Sequence, residues 1–202
     1  MFENSTINIT EHRVFEQHIL LATRLPDELD HYAAAHFTKL WGMHPAAFHE
    51  ITQPFTGKRI PLPRWQQAYG HDYHYTGTTN RALPVDDILE PFLVWTQQKF
   101  DDRLNGLLLN WYDAAQRHYI GAHSDSIVDL ITETPIVTIS LGSTRTFRLR
   151  PKRGTGFTDF EAGHGTVFIL PWDTNLHIKH EVPHRKHSDG QRISITMRAF
   201  VA

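Results

Sequence analysis

Hydrophobic residues recur at helical spacing in the first half of this 202-residue chain. Residues 26–40 have a proline start, an acidic first turn and apolar positions three or four apart, which predicts an amphipathic helix. A second helix is predicted over about residues 84–100, and Pro91 is expected to kink or restart it. Residues 51–83, between these helices, are rich in Pro, Gly, Thr and aromatic residues, so hairpins and a functional surface loop are expected there.

Short β-type runs replace this pattern from residue 105 onward. They combine β-branched and aromatic residues and are separated at short intervals by Gly, Pro or Asp, as in a β-sandwich or jelly roll. The runs cover residues 107–112, 118–122, 135–141, 144–150, 165–170 and 192–201. We therefore predict a single domain over residues 1–202, α+β but mainly β. About residues 1–104 would supply supporting helices and substrate-recognition loops, and about residues 105–202 the β core.

Composition narrows the chemistry that this chain can perform. The absence of cysteine excludes disulfides, thiolate metal ligands and thiol catalysis, whereas 15 histidines leave ample metal ligands. No run approaches the roughly 20 apolar residues of a membrane-spanning helix. The first residues do not read as a signal peptide, so we expect a cytoplasmic protein, or a nuclear one in a eukaryote. We also expect a monomer.

Basic side chains cluster at residues 145–153 and 184–187, although the net charge is only −2. Such a cluster either contacts the phosphates of a nucleic acid or forms a solvated sheet edge that resists aggregation. Lys58, Arg59 and Arg64 are further candidates for phosphate contacts.

A candidate metal site begins with His123-Ser124-Asp125. In a strand, residues two apart share a face, so this imidazole and carboxylate could converge on one ion. A third ligand must come from the downstream histidines, which are His164, His177, His180, His184 and His187. Two imidazoles and one carboxylate form the facial triad of non-haem Fe(II), although zinc accepts the same ligands. The alternative is an ordinary surface pair.

The last predicted strand carries polar residues on one face. Alternation places Arg192, Ser194, Thr196 and Arg198 together, opposite Ile193, Ile195 and Met197. This face either contacts water or lines a cavity, where the planar fork of an arginine binds a carboxylate through two hydrogen bonds.

The order of these segments resembles the AlkB family of Fe(II)/2-oxoglutarate dioxygenases. The matching segments are Asn110-Trp111-Tyr112, His123-Ser124-Asp125, residues 135–142, His180-Glu181-Val182-Pro183 and the alternating Arg192 to Arg198 strand. Upstream, Pro63-Arg64, Tyr69-Gly70 and Tyr73-His74-Tyr75-Thr76 look like the nucleotide-recognition segment of the family. The resemblance covers about residues 60–200 and implies a double-stranded β-helix (jelly-roll) core with supporting helices.

The resemblance also implies roles for individual residues. The iron ligands would be His123, Asp125 and His180, with His177 and His184 as reserves for the third position. The residues that hold 2-oxoglutarate would be Asn110, Tyr112, Arg192, Ser194 and Arg198. Arg192 with Tyr112 is expected at the distal carboxylate, and Arg198 with Asn110 near the metal. Tyr75 would stack on a flipped-out base opposite His123, with Arg64 and Tyr73 also in the substrate site.

The implied activity uses Fe(II), 2-oxoglutarate and O2 to demethylate N-alkylated bases, such as 1-methyladenine or 3-methylcytosine, in single-stranded DNA or RNA. Its products would be formaldehyde, succinate and CO2.

Two departures from the family pattern keep alternatives open. Ser194 stands where relatives usually have Asn, and Ser126-Ile127-Val128 follows the candidate ligand where relatives commonly carry acidic residues that read the base. The second departure favours an enzyme of the same chemistry that hydroxylates a small molecule or a protein side chain. A non-catalytic nucleic-acid-binding module is disfavoured, because the apparent metal and cosubstrate set is complete.

Overall fold

The computed structural model describes residues 7–53, 56–75, 77–184 and 189–201, and these residues form mainly β-strands. The strands of the first half are β1 (Thr10–Val14), β2 (His18–Arg24), β3 (Glu50–Thr52), β4 (Arg59–Pro61), β5 (Trp65–Tyr69), β6 (Tyr73–Tyr75) and β7 (Thr78–Asn80). Those of the second half are β8 (Gly106–Asp113), β9 (Ile120–His123), β10 (Ile136–Gly142), β11 (Arg145–Pro151), β12 (Thr158–Ala162), β13 (Thr166–Leu170), β14 (Ile178–Val182) and β15 (Gln191–Arg198). The helices are α1 (Asp27–Gly42), α2 (Glu90–Lys99) and α3 (Trp172–His177).

Two antiparallel sheets organise the molecule. The major sheet has seven strands in the order β1-β2-β13-β10-β15-β8-β5, and the minor sheet has four in the order β12-β11-β14-β9. The remaining strands pair as two hairpins, β3 with β4 and β6 with β7. This mainly β, antiparallel arrangement confirms the predicted class and is consistent with a jelly roll.

The side chains of strand β15 alternate between the hydrophobic core on one face of the major sheet and a cavity on the other. Ile193, Ile195 and Met197 belong to a buried cluster that includes Leu29 of α1 and Phe92 of α2. The opposite face points away from the helices, yet its residues are buried as well and line a cavity. The polar face of β15 is therefore a cavity wall, as one of the two sequence interpretations required.

Several elements differ from the sequence prediction. The helix α2 begins at Glu90 rather than near residue 84, with Pro91 in its first turn, where a missing N–H costs no hydrogen bond. The major sheet also extends beyond the predicted core, because β1, β2 and β5 precede residue 105. Some residues singled out in the sequence lie outside the described ranges. They are Thr76 of the proposed nucleotide-recognition segment and Arg185, Lys186 and His187 of the second basic cluster.

No helix within the described ranges is long and apolar enough to cross a membrane.

Candidate metal and cosubstrate site

Three predicted ligands meet at the adjoining strands β9 and β14. His123 is the last residue of β9 and the register partner of His180 in β14. Asp125 Oδ1 lies 3.8 Å from His123 Nε2 and 3.9 Å from His180 Nε2. Among the residues that the structure describes, this is the one group of three or more His, Asp or Glu side chains close enough to hold an ion.

The reserve histidines lie elsewhere. His177 lies 3.7 Å from Asp173 and stacks on His18, whereas the His184 ring contacts Tyr119. His180 is thus the histidine that the fold brings to His123 and Asp125.

The position of Asp125 has a different cause from the one predicted. The strand β9 ends at His123, so strand alternation does not place the carboxylate. Instead, the buried amide of Asn175 accepts a hydrogen bond from Asp125 N and donates one to Asp125 O, both at 3.1 Å. Ser124 Oγ also donates to Ile178 O at 2.6 Å. Contacts with α3 and the start of β14 therefore hold the loop in place.

The electrostatics of Asp125 favour its ionised form. Burial tends to raise the pKa of this carboxyl group, but the Arg198 guanidinium and the two imidazoles outweigh burial and hold the pKa well below its usual range. Arg198 donates to Asp125 Oδ2 from Nε at 3.0 Å and from a terminal nitrogen at 2.7 Å, and Tyr73 donates its hydroxyl to Oδ1 at 3.1 Å. The carboxylate is thus fixed from both sides.

Both histidines are neutral at neutral pH. Desolvation lowers the pKa of His123 and lowers that of His180 to about 3. His123 Nδ1 lies 2.8 Å from Gly121 O, so this nitrogen is the donor and Nε2 offers its lone pair towards Asp125. An ionised carboxylate and two neutral imidazoles are a suitable ligand set for Fe(II).

A cavity of about 560 Å³ extends from these ligands between the two sheets. Its walls include all eleven residues assigned to the site from the sequence. Three of them are the metal-ligand candidates His123, Asp125 and His180, and the others are Asn110, Tyr112, Arg192, Ser194, Arg198, Tyr75, Arg64 and Tyr73. One space therefore joins the candidate metal site to the face of β15.

Arg192 carries a buried positive charge in this wall. It is 1% exposed, and none of the described residues pairs a carboxylate with it. Its Nε donates to Ser140 Oγ at 2.8 Å, its Cζ lies 5.2 Å from the centre of the Tyr112 ring, and one terminal nitrogen is buried without a partner. Burial lowers the pKa of Arg192 to about 10, so the group remains charged at neutral pH. An anion is required to balance it.

The orientation of Asn110 follows from its donors. Its Oδ1 accepts hydrogen bonds from Arg64 Nε at 2.7 Å and Gln66 Nε2 at 3.1 Å. Because an arginine can only donate, the oxygen must face these groups. The amide nitrogen is therefore left to donate elsewhere in the cavity.

Arg198 contacts the candidate ligand Asp125 directly, a contact that the sequence analysis did not predict. Two of its nitrogens are already engaged by Asp125, so its fork is not open to a second carboxylate. Its remaining terminal nitrogen is buried without a partner among the described residues. Arg198 thus holds the ligand Asp125 and keeps one free donor.

The candidate substrate residues lie on the same cavity. Tyr75 is half-buried, donates its hydroxyl to Gln66 Oε1 at 2.7 Å and lies 5.3 Å from the Tyr73 ring. Burial raises the pKa of Tyr75 to about 12, so the hydroxyl stays protonated. Tyr73 is buried and braces Asp125.

Three arginines of the basic run at residues 145–153 are engaged within the fold, whereas Lys152 and Arg153 are exposed. Arg145 is buried and donates to the carbonyls of His118 and Pro183. Arg148 pairs with Asp159 at 2.6 Å, and Arg150 pairs with Glu181 at 2.7 Å. Carboxylates on the neighbouring strands therefore neutralise the positive charges of Arg148 and Arg150.

Arg64 requires a correction, because it is 5% exposed and cannot be a surface phosphate contact. The sequence prediction also missed Gln66, Asn175 and Ser140, which orient the predicted residues. Of these three residues, only Gln66 could have been found from the sequence, because it is a polar residue within the aromatic segment around β5.

Comparisons with known proteins define the class. Residues 30–198 match the sequence profile of the 2OG-Fe(II) oxygenase superfamily, so the chain belongs to this superfamily, in which 2OG denotes 2-oxoglutarate. The cofactors of the class, Fe(II), 2-oxoglutarate and O2, are those predicted.

Within the superfamily, the similarities confirm the AlkB resemblance. The chain is 29% identical over 156 residues to the DNA oxidative demethylase ALKBH2 of Bos taurus, covering 72% of this chain and 56% of that protein. It is 32% identical over 159 residues to the alpha-ketoglutarate-dependent dioxygenase alkB homolog 3 of Homo sapiens, covering 73% and 54%. The solved structure of OsALKBH1 shares the fold, with a TM-score of 0.58 and 14% identity over 94% of this chain and 99% of that one. The chain thus spans little more than half the length of these two curated relatives.

Proposed function

We propose that this chain is an Fe(II)- and 2-oxoglutarate-dependent demethylase of N-alkylated nucleobases in single-stranded DNA or RNA. The observation that carries the proposal is a single cavity lined by the His123, Asp125 and His180 cluster, the unbalanced Arg192 and the aromatic ring of Tyr75. The relative named above as a DNA oxidative demethylase supports the choice of substrate class.

Each group of the cavity has a part in this activity. His123, Asp125 and His180 would hold the metal, while Arg198 and Tyr73 keep the carboxylate ionised and oriented. Arg192, with Tyr112 and Asn110, would bind 2-oxoglutarate through its carboxylates.

When bound, the metal and 2-oxoglutarate supply the oxidation by O2 that turns an N-methyl group into N-hydroxymethyl, with succinate and CO2 as co-products. The N-hydroxymethyl group then collapses to formaldehyde and the unmodified base. A base reaches the cavity only after leaving the stack, which costs least in a single strand. Tyr75 would offer the stacking face, worth roughly 1–3 kcal/mol per base.

The test compares methylated and unmethylated oligonucleotides of identical sequence and measures formaldehyde and succinate together. The resemblance makes 1-methyladenine and 3-methylcytosine the first lesions to include, with 3-methylthymine and 1-methylguanine beside them. We expect equal amounts of both products, dependent on the methyl group. If every oligonucleotide gives succinate without formaldehyde, a hydroxylase of a small molecule or protein is favoured. If neither product forms, the remaining explanation is a non-catalytic binding module.

A further inference from the structure

We infer that Arg64 reads the substrate base and selects neutral N-methylated bases that carry a carbonyl where adenine and cytosine carry an amino group, such as 3-methylthymine and 1-methylguanine, over cationic 1-methyladenine and 3-methylcytosine. The inference rests on the proposed function. It reverses the order of substrates that the family resemblance implies, because the charge in this cavity has the opposite sign from the one a cationic base needs.

The position of Arg64 places a donor beside the candidate base site. The residue precedes β5 and lines the cavity together with Tyr75 and His123. Its Nε is anchored to Asn110 Oδ1 at 2.7 Å, and no described residue accepts a hydrogen bond from either terminal nitrogen. The residue is 5% exposed, so these donors are directed at the cavity rather than at bulk water. The charge of Arg64 is also felt at Tyr75, where it opposes the rise in pKa caused by burial.

The charge balance of the cavity disfavours a cation. Arg64, Arg192 and Arg198 line it, against the carboxylates of Asp125 and Glu181. Both carboxylates are engaged, Asp125 by Arg198 at 2.7 Å and Glu181 by Arg150 at 2.7 Å. No other Asp or Glu of the described residues lines the cavity. A cationic base would therefore lie beside Arg64 without a counter-ion.

Hydrogen bonding points the same way. A guanidinium group has donors only. The O4 atom of thymine and the O6 atom of guanine are acceptors, whereas the amino groups of adenine and cytosine are donors. In 3-methylthymine and 1-methylguanine, the methylated nitrogen is adjacent to O4 or O6. In 3-methylcytosine the 4-position carries the amino group instead, and the one carbonyl oxygen, O2, lies on the side of the sugar. A donor that reads O4 or O6 therefore also holds the methyl group in a defined place.

The segment after the candidate metal ligand adds no carboxylate to the cavity wall. Ser126 lines the cavity with a neutral side chain, Ile127 and Val128 are apolar, with Val128 83% exposed, and Asp129 is not among the residues that line the cavity. An amino base would thus find no carboxylate here. The exposed Ser126 is also a convenient place to introduce one.

The test uses four single-stranded oligonucleotides that differ only in the modified base, with binding to the metal-free protein followed by fluorescence anisotropy. We expect 3-methylthymine and 1-methylguanine to bind at least about ten-fold more tightly than the two cationic bases, a discrimination typical of one good base contact. Arg64→Gln should remove most of this preference. Ser126→Glu should raise the affinity for the cationic bases by about ten-fold relative to the neutral ones, and formaldehyde release should follow the same order.

Three results would overturn the inference. The first is a wild-type preference for 1-methyladenine or 3-methylcytosine, which leaves the proposed function intact. The second is an unchanged preference in folded Arg64→Gln protein. The third, which does not depend on how that buried position tolerates substitution, is a Ser126→Glu variant with unaltered selectivity. Formaldehyde from none of the four oligonucleotides would instead overturn the proposed function, and the inference with it.

Discussion

Arg192 provides the sharpest test of how the cavity binds 2-oxoglutarate. Its guanidinium is 1% exposed, and no described carboxylate balances it. Arg192→Lys keeps the charge but loses the fork, whereas Arg192→Met removes both and keeps an unbranched apolar stem. The two variants together separate charge from geometry.

The expected magnitudes follow from these contacts. A charge-assisted hydrogen bond contributes about 1.5–3 kcal/mol, so loss of one of two such bonds in Arg192→Lys should weaken 2-oxoglutarate binding by roughly ten- to a hundred-fold. Arg192→Met should weaken it further, by roughly a thousand-fold. The ligand-free Met variant should nevertheless be as stable as the wild type or about 1 kcal/mol more stable, because an unbalanced buried charge is costly. Ser140 keeps its hydrogen bond to Ala162 O in that variant.

The assay combines urea unfolding with titration of 2-oxoglutarate into the anaerobic, metal-loaded protein. We expect wild-type protein to gain stability with added 2-oxoglutarate and Arg192→Met to gain almost none. A Met variant that binds 2-oxoglutarate like the wild type would refute the assignment. So would a large loss of ligand-free stability with unchanged affinity, since Arg192 would then be structural.

Three further predictions follow from the same contacts. Asp125→Ala should abolish turnover and also lower the free energy of unfolding by about 3–5 kcal/mol, because it leaves buried Arg198 unpaired; His123→Ala should abolish turnover at a much smaller cost, and equal unfolding free energies would contradict this. Tyr75→Ala should weaken demethylation of an oligonucleotide while sparing substrate-free decarboxylation of 2-oxoglutarate, with Tyr75→Phe as the matched control that keeps the ring; a joint loss of both activities would make Tyr75 structural. Burial lowers the pKa of His118 below its usual 6.5, so the unfolded state binds a proton more tightly than the folded state, and the folded protein loses stability as the pH falls below about 6.5. Urea unfolding at pH 7.5 and 5.5 should therefore show a smaller loss of unfolding free energy for His118→Gln than for the wild type. Equal losses for the two proteins would contradict this prediction.

The alternation of β15 was predictable from sequence because side chains in any strand alternate with a period of two. Its environment was not, since a polar face that lines a cavity and one that meets water look alike in sequence. Only the position of β15 in the centre of the major sheet, with α1 and α2 on its apolar side, buries Arg192 and Arg198.

The metal ligands illustrate a correct prediction with an incomplete reason. The spacing of His123 and Asp125 suggested a shared strand face, but the strand ends at His123. The amide of Asn175, distant in sequence, holds Asp125 instead. A long-range hydrogen bond of this kind has no local pattern.

The partners of the basic residues were missed for a similar reason. Arg148 and Arg150 look like a solvated or phosphate-binding run when their strand is considered alone. Their partners, Asp159 and Glu181, lie on the neighbouring strands β12 and β14, which the sequence prediction did not identify. The polar alternation of these two strands lacks the β-branched run that marked the others.

The most direct test of the central claim is the visible absorption of the anaerobic protein after addition of Fe(II) and 2-oxoglutarate. If His123, Asp125 and His180 hold iron beside a 2-oxoglutarate bound by Arg192, the wild type should develop a metal-to-ligand charge-transfer band. His123→Ala should show none, and Arg192→Met should require far more 2-oxoglutarate. A wild-type protein without the band, or a His123→Ala protein with the same band, would contradict the account.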